Sequence, residues 1–468
     1  MSDDQQVISE LVATARKAQE QVADYTQEQI DEVCLSVGWQ VYKDENIHHC
    51  ARTAVEESGM GVYEDKLKKH KVKVMGVCRD ILKARTVGVI ERNEETGITK
   101  YAKPVGVVGA LSPVTNPTAT PASNGVSILQ GRNAVIFAPH PRAVRACKVA
   151  TDFMREGLRK VGAPEDLVQF IEEPSIPRSQ ELMRQVDLVV ATGGGAMVKA
   201  AYSSGTPAYG VGAGNPVIIV AEDADIEDSA QKITISKCFD NATSCSSDTS
   251  LIIQESIYDR MREALIKQGG HLLGSEDKQK LEKWMWVPGK DPSKLNLNLG
   301  VVAKSARQIA SDAGIEVPET TRMLLVEGET PGEDRFSGEK ISPVLALWKY
   351  TDIEHALEVA NKLYEYAGMG HSCGLYSFNQ DYIHKVSSRL KVSRVMVRQA
   401  HAPSAGGNLW NGMPSTVTLG CGTWGGNITT ENIHWKHFIN VTWLSEPIEP
   451  AQVSDQDIFG PIWEKYGQ

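Results

Sequence analysis

Cys245 stands in the run Phe239-Asp240-Asn241-Ala242-Thr243-Ser244-Cys245, a polar stretch between a helix-like segment and the strand-like run Ser250 to Gln254. A cysteine on such a loop can be exposed and reactive, and its thiolate is a nucleophile. The chain has eight cysteines: Cys34, Cys50, Cys78, Cys147, Cys238, Cys245, Cys373 and Cys421. Position alone leaves the others in competition for that role, although Cys34 and Cys147, on helical patterns, read as packing residues. Gly193-Gly194-Gly195 follows an apolar run and precedes a helical one. Backbone N–H groups at a helix start suit a nucleotide phosphate. A plain strand-to-helix turn explains the same glycines, because the spacing is not G-x-G-x-x-G. Gly210, Gly212 and Gly214 precede Asn215-Pro216 and ask for close backbone approach or positive φ.

The elements that carry these residues follow from periodicity. Val7, Ile8, Leu11, Val12 and Ala15 recur at helical spacing, and Thr26 with Gln29 forms a capping-box signal for a second helix. A third helix is expected to stop at Gly59. Thr86 to Ile90 and Ile98 to Tyr101 read as a hairpin. Strands are expected at Val105 to Leu111, Ala134 to Phe137, Val168 to Ile171, Val186 to Ala191 and Val217 to Val220, with helices between them. Asp225 caps a helix running to about Cys238. The alternation then restarts, with strand signals at Ser250 to Gln254, Val301–Val302, Arg322 to Val326, Val344 to Trp348, Gly374 to Ser377 and Val395 to Val397. Strands alternating with helices predict an α/β fold with mostly parallel sheets. The expected division is a dinucleotide-binding domain over 1–234, including the hairpin at about 86–101, a catalytic domain over 235–432, and a C-terminal segment over 433–468 with a strand at His437 to Trp443.

The 468 residues exceed what one core holds, and 41% hydrophobic with 23% charged residues is ordinary for a globular protein. A net charge of −10 argues against nucleic-acid binding. No apolar run approaches the ~20 residues that span a bilayer. Scattered cysteines without a C-x-x-C pair fit a reducing compartment and show no zinc spacing. The N-terminus is polar and acidic, unlike a signal peptide. These features point to the cytoplasm.

A series of short motifs, in order, extends the argument: Thr115-Asn116-Pro117-Thr118, Arg132-Asn133-Ala134, Pro139-His140-Pro141-Arg142, Ala191-Thr192-Gly193-Gly194, Val198 to Gly205, Gly210 to Asn215, the Cys245 loop, Glu339-Lys340-Ile341-Ser342-Pro343, Gly370-His371, and Leu419 to Asn427. Together they resemble the aldehyde dehydrogenase superfamily, in its CoA-acylating branch, over nearly the whole chain. The chain also resembles the N-terminal half of bifunctional aldehyde–alcohol dehydrogenases, with no iron-dependent half expected after Gln468. The resemblance implies a Rossmann-type cofactor domain, a second α/β catalytic domain and a β oligomerisation arm. It implies that Cys245 attacks an aldehyde, that Asn116 and the Cys245 N–H hold the oxyanion, and that NADP or NAD accepts hydride. Read without it, Asn116 is a turn residue before Pro117.

The resemblance also bears on how the acyl group leaves. Hydrolytic relatives carry a glutamate ahead of a Leu-Gly-Gly motif, where this chain reads Tyr209-Gly210-Val211-Gly212. Without that base, water, with a pKa of roughly 15.7, is handicapped far more than a thiol near ~8.5. CoA is therefore the expected acceptor. His371 matches a histidine of the acylating branch that deprotonates the CoA thiol or orients its pantetheine end. Glu339 matches the glutamate that holds the nicotinamide ribose. His140 and Arg142 match the adenosine ribose site, where the cation Arg142 favours NADP over NAD. Gly193, Gly194 and Gly212 complete the cofactor set. Arg398 is the expected receptor for an anionic substrate tail, with sulfoacetaldehyde favoured over succinate semialdehyde; a structural salt bridge is the alternative role. The arm segments imply a homodimer or homotetramer. Rival readings are an enzyme like glutamyl-phosphate reductase, on the same fold, and a non-catalytic oligomeric scaffold.

Overall fold

The computed structural model describes residues 3–212, 214–289 and 295–468. Four helices open the chain: Asp3–Val22, Gln27–Tyr42, Asp44–Ser58 and Tyr63–Ile81. The Thr26–Gln29 capping box is formed in both directions, and Gly59 ends the third helix at φ 64°. The first satisfies terminal backbone groups with side chains, the second with the left-handed backbone of a glycine whose N–H donates to the Val55 carbonyl.

Two parallel sheets follow. The first has five strands in the order Val168–Phe170, Ala134–Ala138, Val107–Leu111, Leu188–Thr192, Ala208–Val211. Two of its three interior strands, Val107–Leu111 and Ala134–Ala138, are buried at every residue, as expected where helices cover both faces. Chain order reverses at Val107–Leu111, so a crevice opens beyond the carboxyl ends of this strand and Leu188–Thr192. The second sheet has seven strands, all parallel, in the order Gly270–Leu272, Met323–Glu327, Val344–Tyr350, Ser250–Gln254, Val217–Val220, Cys373–Tyr376, Val395–Val397. The α/β class is as the alternation predicts.

Two expectations are corrected. Val217–Val220 belongs to the second sheet and does not continue the first. The chain between Val211 and Val217 is too short for the crossover that a parallel neighbour in the same sheet needs. It therefore passes from one sheet to the other. Val301–Val302 form a turn, not a strand. Both are buried: Val301 packs in the core of the second sheet, and Val302 in a small cluster with Met60 and Ala303.

The hairpin Gly88–Asn93 and Ile98–Pro104 pairs with Ile439–Ser445 in a separate antiparallel sheet of three strands. Among the described residues, no helix is long and apolar enough to cross a membrane.

Candidate active site

The two sheets face one another end-on across a cavity of about 810 Å³. From the first sheet come the loops after three adjacent strands: Pro113 to Asn116 after Val107–Leu111, His140 after Ala134–Ala138, and Gly193–Gly194 after Leu188–Thr192. From the second come residues that precede strands: Thr243 to Ser246 before Ser250–Gln254, and Glu339 and Ile341 before Val344–Tyr350. Carboxyl ends of the first sheet thus meet segments that precede two strands of the second, and Arg398, which follows Val395–Val397, joins them on the wall. Cys245, Asn116, His140, Gly193, Gly194, Gly212, Glu339 and Arg398 all line this one cavity. His371 and Arg142 do not.

His371 lies directly behind the nucleophile loop. Its Nε2 is 3.2 Å from Cys245 Sγ, and its Nδ1 is 2.6 Å from Ser372 Oγ. Burial, then Arg394 and His401, push the His371 pKa well below its ordinary value, so the ring is neutral. Burial, with the Glu339 carboxylate, pushes the Cys245 thiol up to about 12, against Arg394. A protonated sulfur beside a neutral imidazole fixes the roles: S–H donates to Nε2, and Nδ1–H donates to Ser372. Arg394 is itself buried and donates to the His371 carbonyl at 2.8 Å and the Gly420 carbonyl at 2.7 Å. Gly214 packs so tightly here that a Cβ would lie 2.0 Å from the Cys245 carbonyl oxygen. Close approach also explains Gly210, which meets Val198 and Tyr202; positive φ explains none of the three. Ala213, within that run, lies outside the described residues.

The loop before Cys245 is backbone-strained. Asp240, Asn241 and Ala242 hold φ of 54°, 49° and 61°, the left-handed region that non-glycine residues avoid. Such a run persists only where its surroundings over-determine it. They do: Asp240 is fully buried, and its carboxylate accepts from the Val62 N–H at 2.9 Å, Lys66 Nζ at 2.8 Å, Lys69 Nζ at 2.5 Å and Thr243 Oγ1 at 2.5 Å. Burial works against this carboxylate, but Lys69 and Lys66 outweigh it and hold its pKa below the ordinary value.

The same two lysines reach the opposite wall. Lys69 Nζ donates to Asn116 Oδ1 at 2.8 Å, and Lys66 Nζ donates to the Thr115 carbonyl at 2.5 Å. With Asn116 Oδ1 occupied by an ammonium, the side-chain nitrogen is the end left to donate. Helix Tyr63–Ile81 therefore fastens the Asn116 loop and the Cys245 loop to each other. Sequence reading missed this. Lys66, Lys69 and Lys73 recur at helical spacing and are all buried, on the stripe where apolar residues belong. That pattern was the available signal.

Glu339 is the one carboxylate among the described residues lining the cavity. Burial raises its pKa to about 8, so near neutral pH it is largely protonated, suited to hydrogen-bonding rather than to serving as a base. The positions matching the hydrolytic glutamate segment, Val211 and Gly212, contribute no acid to the wall. His140 is half-buried at the cavity edge, and Arg142 is exposed beside it, with its guanidinium 3.9 Å from Met60 Sδ. Gly194 and Gly195 have open space where a Cβ would project, so the start of helix Gly195–Tyr202 is free for a ligand to approach. Arg398 sits at φ 52°; its guanidinium donates to the Ser377 carbonyl at 2.5 Å and stacks 4.5 Å from the exposed Phe378 ring.

The model of the aldehyde dehydrogenase family matches residues 2–437. The chain belongs to the aldehyde dehydrogenase family. It is 57% identical over 455 residues to a sulfoacetaldehyde dehydrogenase of an Acholeplasma species, covering 97% of this chain and 94% of that one. An acetylating aldehyde dehydrogenase from Geobacillus thermoglucosidasius superposes with a TM-score of 0.91 at 35% identity, covering 96% of this chain and 98% of the other. A Rhodopseudomonas palustris propionaldehyde dehydrogenase, solved with bound CoA and an acylated cysteine, superposes at 0.82 with 28% identity, covering 94% and 97%.

Proposed function

We propose that this chain is a CoA-acylating sulfoacetaldehyde dehydrogenase: sulfoacetaldehyde + CoA + NAD(P)+ gives sulfoacetyl-CoA + NAD(P)H + H+. The observation that carries the chemistry is the 3.2 Å contact between Cys245 Sγ and His371 Nε2, in a cavity whose one carboxylate among the described residues, Glu339, has its pKa raised to about 8. His371 takes the thiol proton as Cys245 Sγ bonds to the aldehyde carbon. Asn116, fixed by Lys69, donates its side-chain N–H to the developing oxyanion, together with the Cys245 backbone N–H. When bound, the nicotinamide accepts hydride from that carbon and CoA supplies the acyl-accepting thiol. Loss of hydride leaves a thioester on Cys245. Attack by the CoA thiol then restores the free cysteine, and His371 is placed to return or relay the proton. Gly193, Gly194, Gly212, His140 and Glu339 hold the cofactor, with Arg142 at the edge where a 2′-phosphate would project, which favours NADP. Arg398, on the wall, guides the anionic aldehyde in.

Free thiols at all eight cysteines fit a cytoplasmic enzyme. The three-stranded ribbon and the C-terminal helix, with Trp443, Ile458, Phe459 and Ile462 exposed, support a homodimer or homotetramer. The test is a panel of aldehydes with and without CoA, run against NAD+ and NADP+, following the reduced nicotinamide and the acyl-CoA product by mass. Turnover of sulfoacetaldehyde is expected to require CoA. Equal oxidation without CoA would refute the acylating assignment, and indifference between sulfoacetaldehyde and propionaldehyde would refute the substrate.

A further inference from the structure

Lys73 is buried, lines the cavity that holds Cys245, and forms no ion pair with any carboxylate among the described residues. Its ammonium donates instead to two backbone carbonyls, Gly406 at 2.6 Å and Gly407 at 3.1 Å. An ammonium carries three N–H donors, so one remains. Both acceptors depend on glycine. A Cβ at Gly406 would lie 2.8 Å from Lys73 Nζ, and Gly407 holds φ 77°. The neighbouring charges make the site short of negative charge. Lys69 lies one turn back and repels it, while Asp240 is already shared by Lys66 and Lys69. Asp80, two turns on, attracts it from a distance but is engaged by Arg79 at 2.7 Å and by the Ser415 N–H at 2.6 Å. The remaining group that draws on Lys73 is Cys245, as thiolate. A buried cation without its counter-ion is costly, and an anion delivered to it recovers that cost.

We propose that Lys73 is the specificity-determining receptor for the sulfonate of the substrate, completing its charge when the aldehyde carbon sits on Cys245. The inference rests on sulfoacetaldehyde being the substrate. Only one methylene separates its carbonyl from the sulfur, so the anion must be met close to the nucleophile. Lys73 is electrostatically coupled to Cys245, whereas the Arg398 guanidinium is engaged by the Ser377 carbonyl and the exposed Phe378. Arg398 therefore acts at the entrance and Lys73 at the seat. The two-carbonyl cradle leaves the third N–H for one sulfonate oxygen, while the Asn116 side-chain N–H and the Cys245 backbone N–H take the other end of the molecule.

Two measurements test this. The first is the ratio of kcat/KM for sulfoacetaldehyde to kcat/KM for propionaldehyde, in the wild type, Lys73→Met and Arg398→Asn. The ratio is expected to fall on the order of 10- to 100-fold in Lys73→Met, and by much less in Arg398→Asn. The second uses the wild type alone. Burial, then repulsion by Lys69, lowers the Lys73 pKa to about 7 in the empty enzyme. The charge that binds sulfonate is therefore present below about pH 7 and lost above it, and the same ratio must decline as pH rises through that range. Taking the ratio cancels the ionisation of Cys245, which both substrates share. A ratio unchanged in Lys73→Met, or one that is flat with pH in the wild type, overturns the assignment. A wild type with no preference for the anionic aldehyde overturns the substrate instead, which keeps the two failures apart.

Discussion

Burial moves the two members of the Cys245–His371 pair in opposite directions, the thiol up and the imidazole down, so the resting pair is neutral and one proton sits between them. With the thiol pKa pushed up to about 12, thiolate alone is scarce near pH 7, and His371 must remove the proton as attack proceeds. His371→Ala is expected to lower kcat/KM about 10²- to 10⁴-fold near neutral pH. The deficit should narrow as pH rises, because the thiolate fraction grows about tenfold per pH unit below the thiol pKa. A pH–rate profile for the variant parallel to the wild type would assign His371 a purely structural place. At the cofactor end, Arg142→Ala is expected to raise KM for NADP+ about tenfold and to leave KM for NAD+ within about twofold, since only the former carries a phosphate for the cation to meet. Equal effects on both coenzymes would remove Arg142 from the binding site.

At the scale of elements, one helix does what no single loop can. Lys66 and Lys69 on Tyr63–Ile81 cross-link the Asn116 loop to the strained Asp240 loop. Asp240→Asn removes the charge both ammonium groups share and leaves them buried without it, an expected loss of about 3–5 kcal/mol by denaturant unfolding. The pH dependence has a definite sign. The folded Asp240 pKa lies below its ordinary value, so its stabilisation is fully present above the unfolded value of about 3.9 and is lost as pH falls through the folded value. The stability gap between wild type and variant should therefore shrink toward acid; a constant gap would mean the carboxylate is not the source. This helix also marks the limit of what sequence shows. Apolar periodicity located the strands Val107–Leu111 and Ala134–Ala138 because parallel strands must be apolar throughout. Cys245, Asn116, Glu339 and the glycines were found through ordered motifs, and they do converge on one cavity. The lysine stripe escaped because lysines at helical spacing ordinarily mean a solvated face. The sheet change between Val211 and Val217 escaped because a strand's pattern does not say which sheet it joins. His371 was found as a motif match, but its contact with Cys245 bridges 126 positions of chain.

For the whole molecule, the residues assigned to catalysis gather on one cavity of a single chain, with His371 directly behind it. In the ribbon, Ile439–Ser445 pairs with Ile98–Pro104 on one edge only, and the strand carries Val441, Trp443 and Leu444 exposed, Trp443 by 64%. An unpaired edge strand with exposed apolar side chains invites a second copy. The neighbouring helix Asp455–Tyr466 adds Ile458, Phe459 and Ile462 to the same exposed apolar set. Trp443→Asp places a charge in the centre of that surface while leaving the backbone pairing with Lys100 untouched. Light scattering across a dilution series is expected to show a wild-type oligomer and a variant of monomer mass. Because the residues assigned to catalysis all lie within one chain, the variant's kcat/KM per chain should stay within about threefold of wild type at low temperature, with the loss appearing instead as a lower, concentration-independent Tm. A variant that keeps the wild-type mass would show that the ribbon does not carry the assembly. A monomer without activity would show that contact between copies shapes the cavity from outside, through the loop 431–438 that joins the ribbon to the wall segment Thr416 to Leu419.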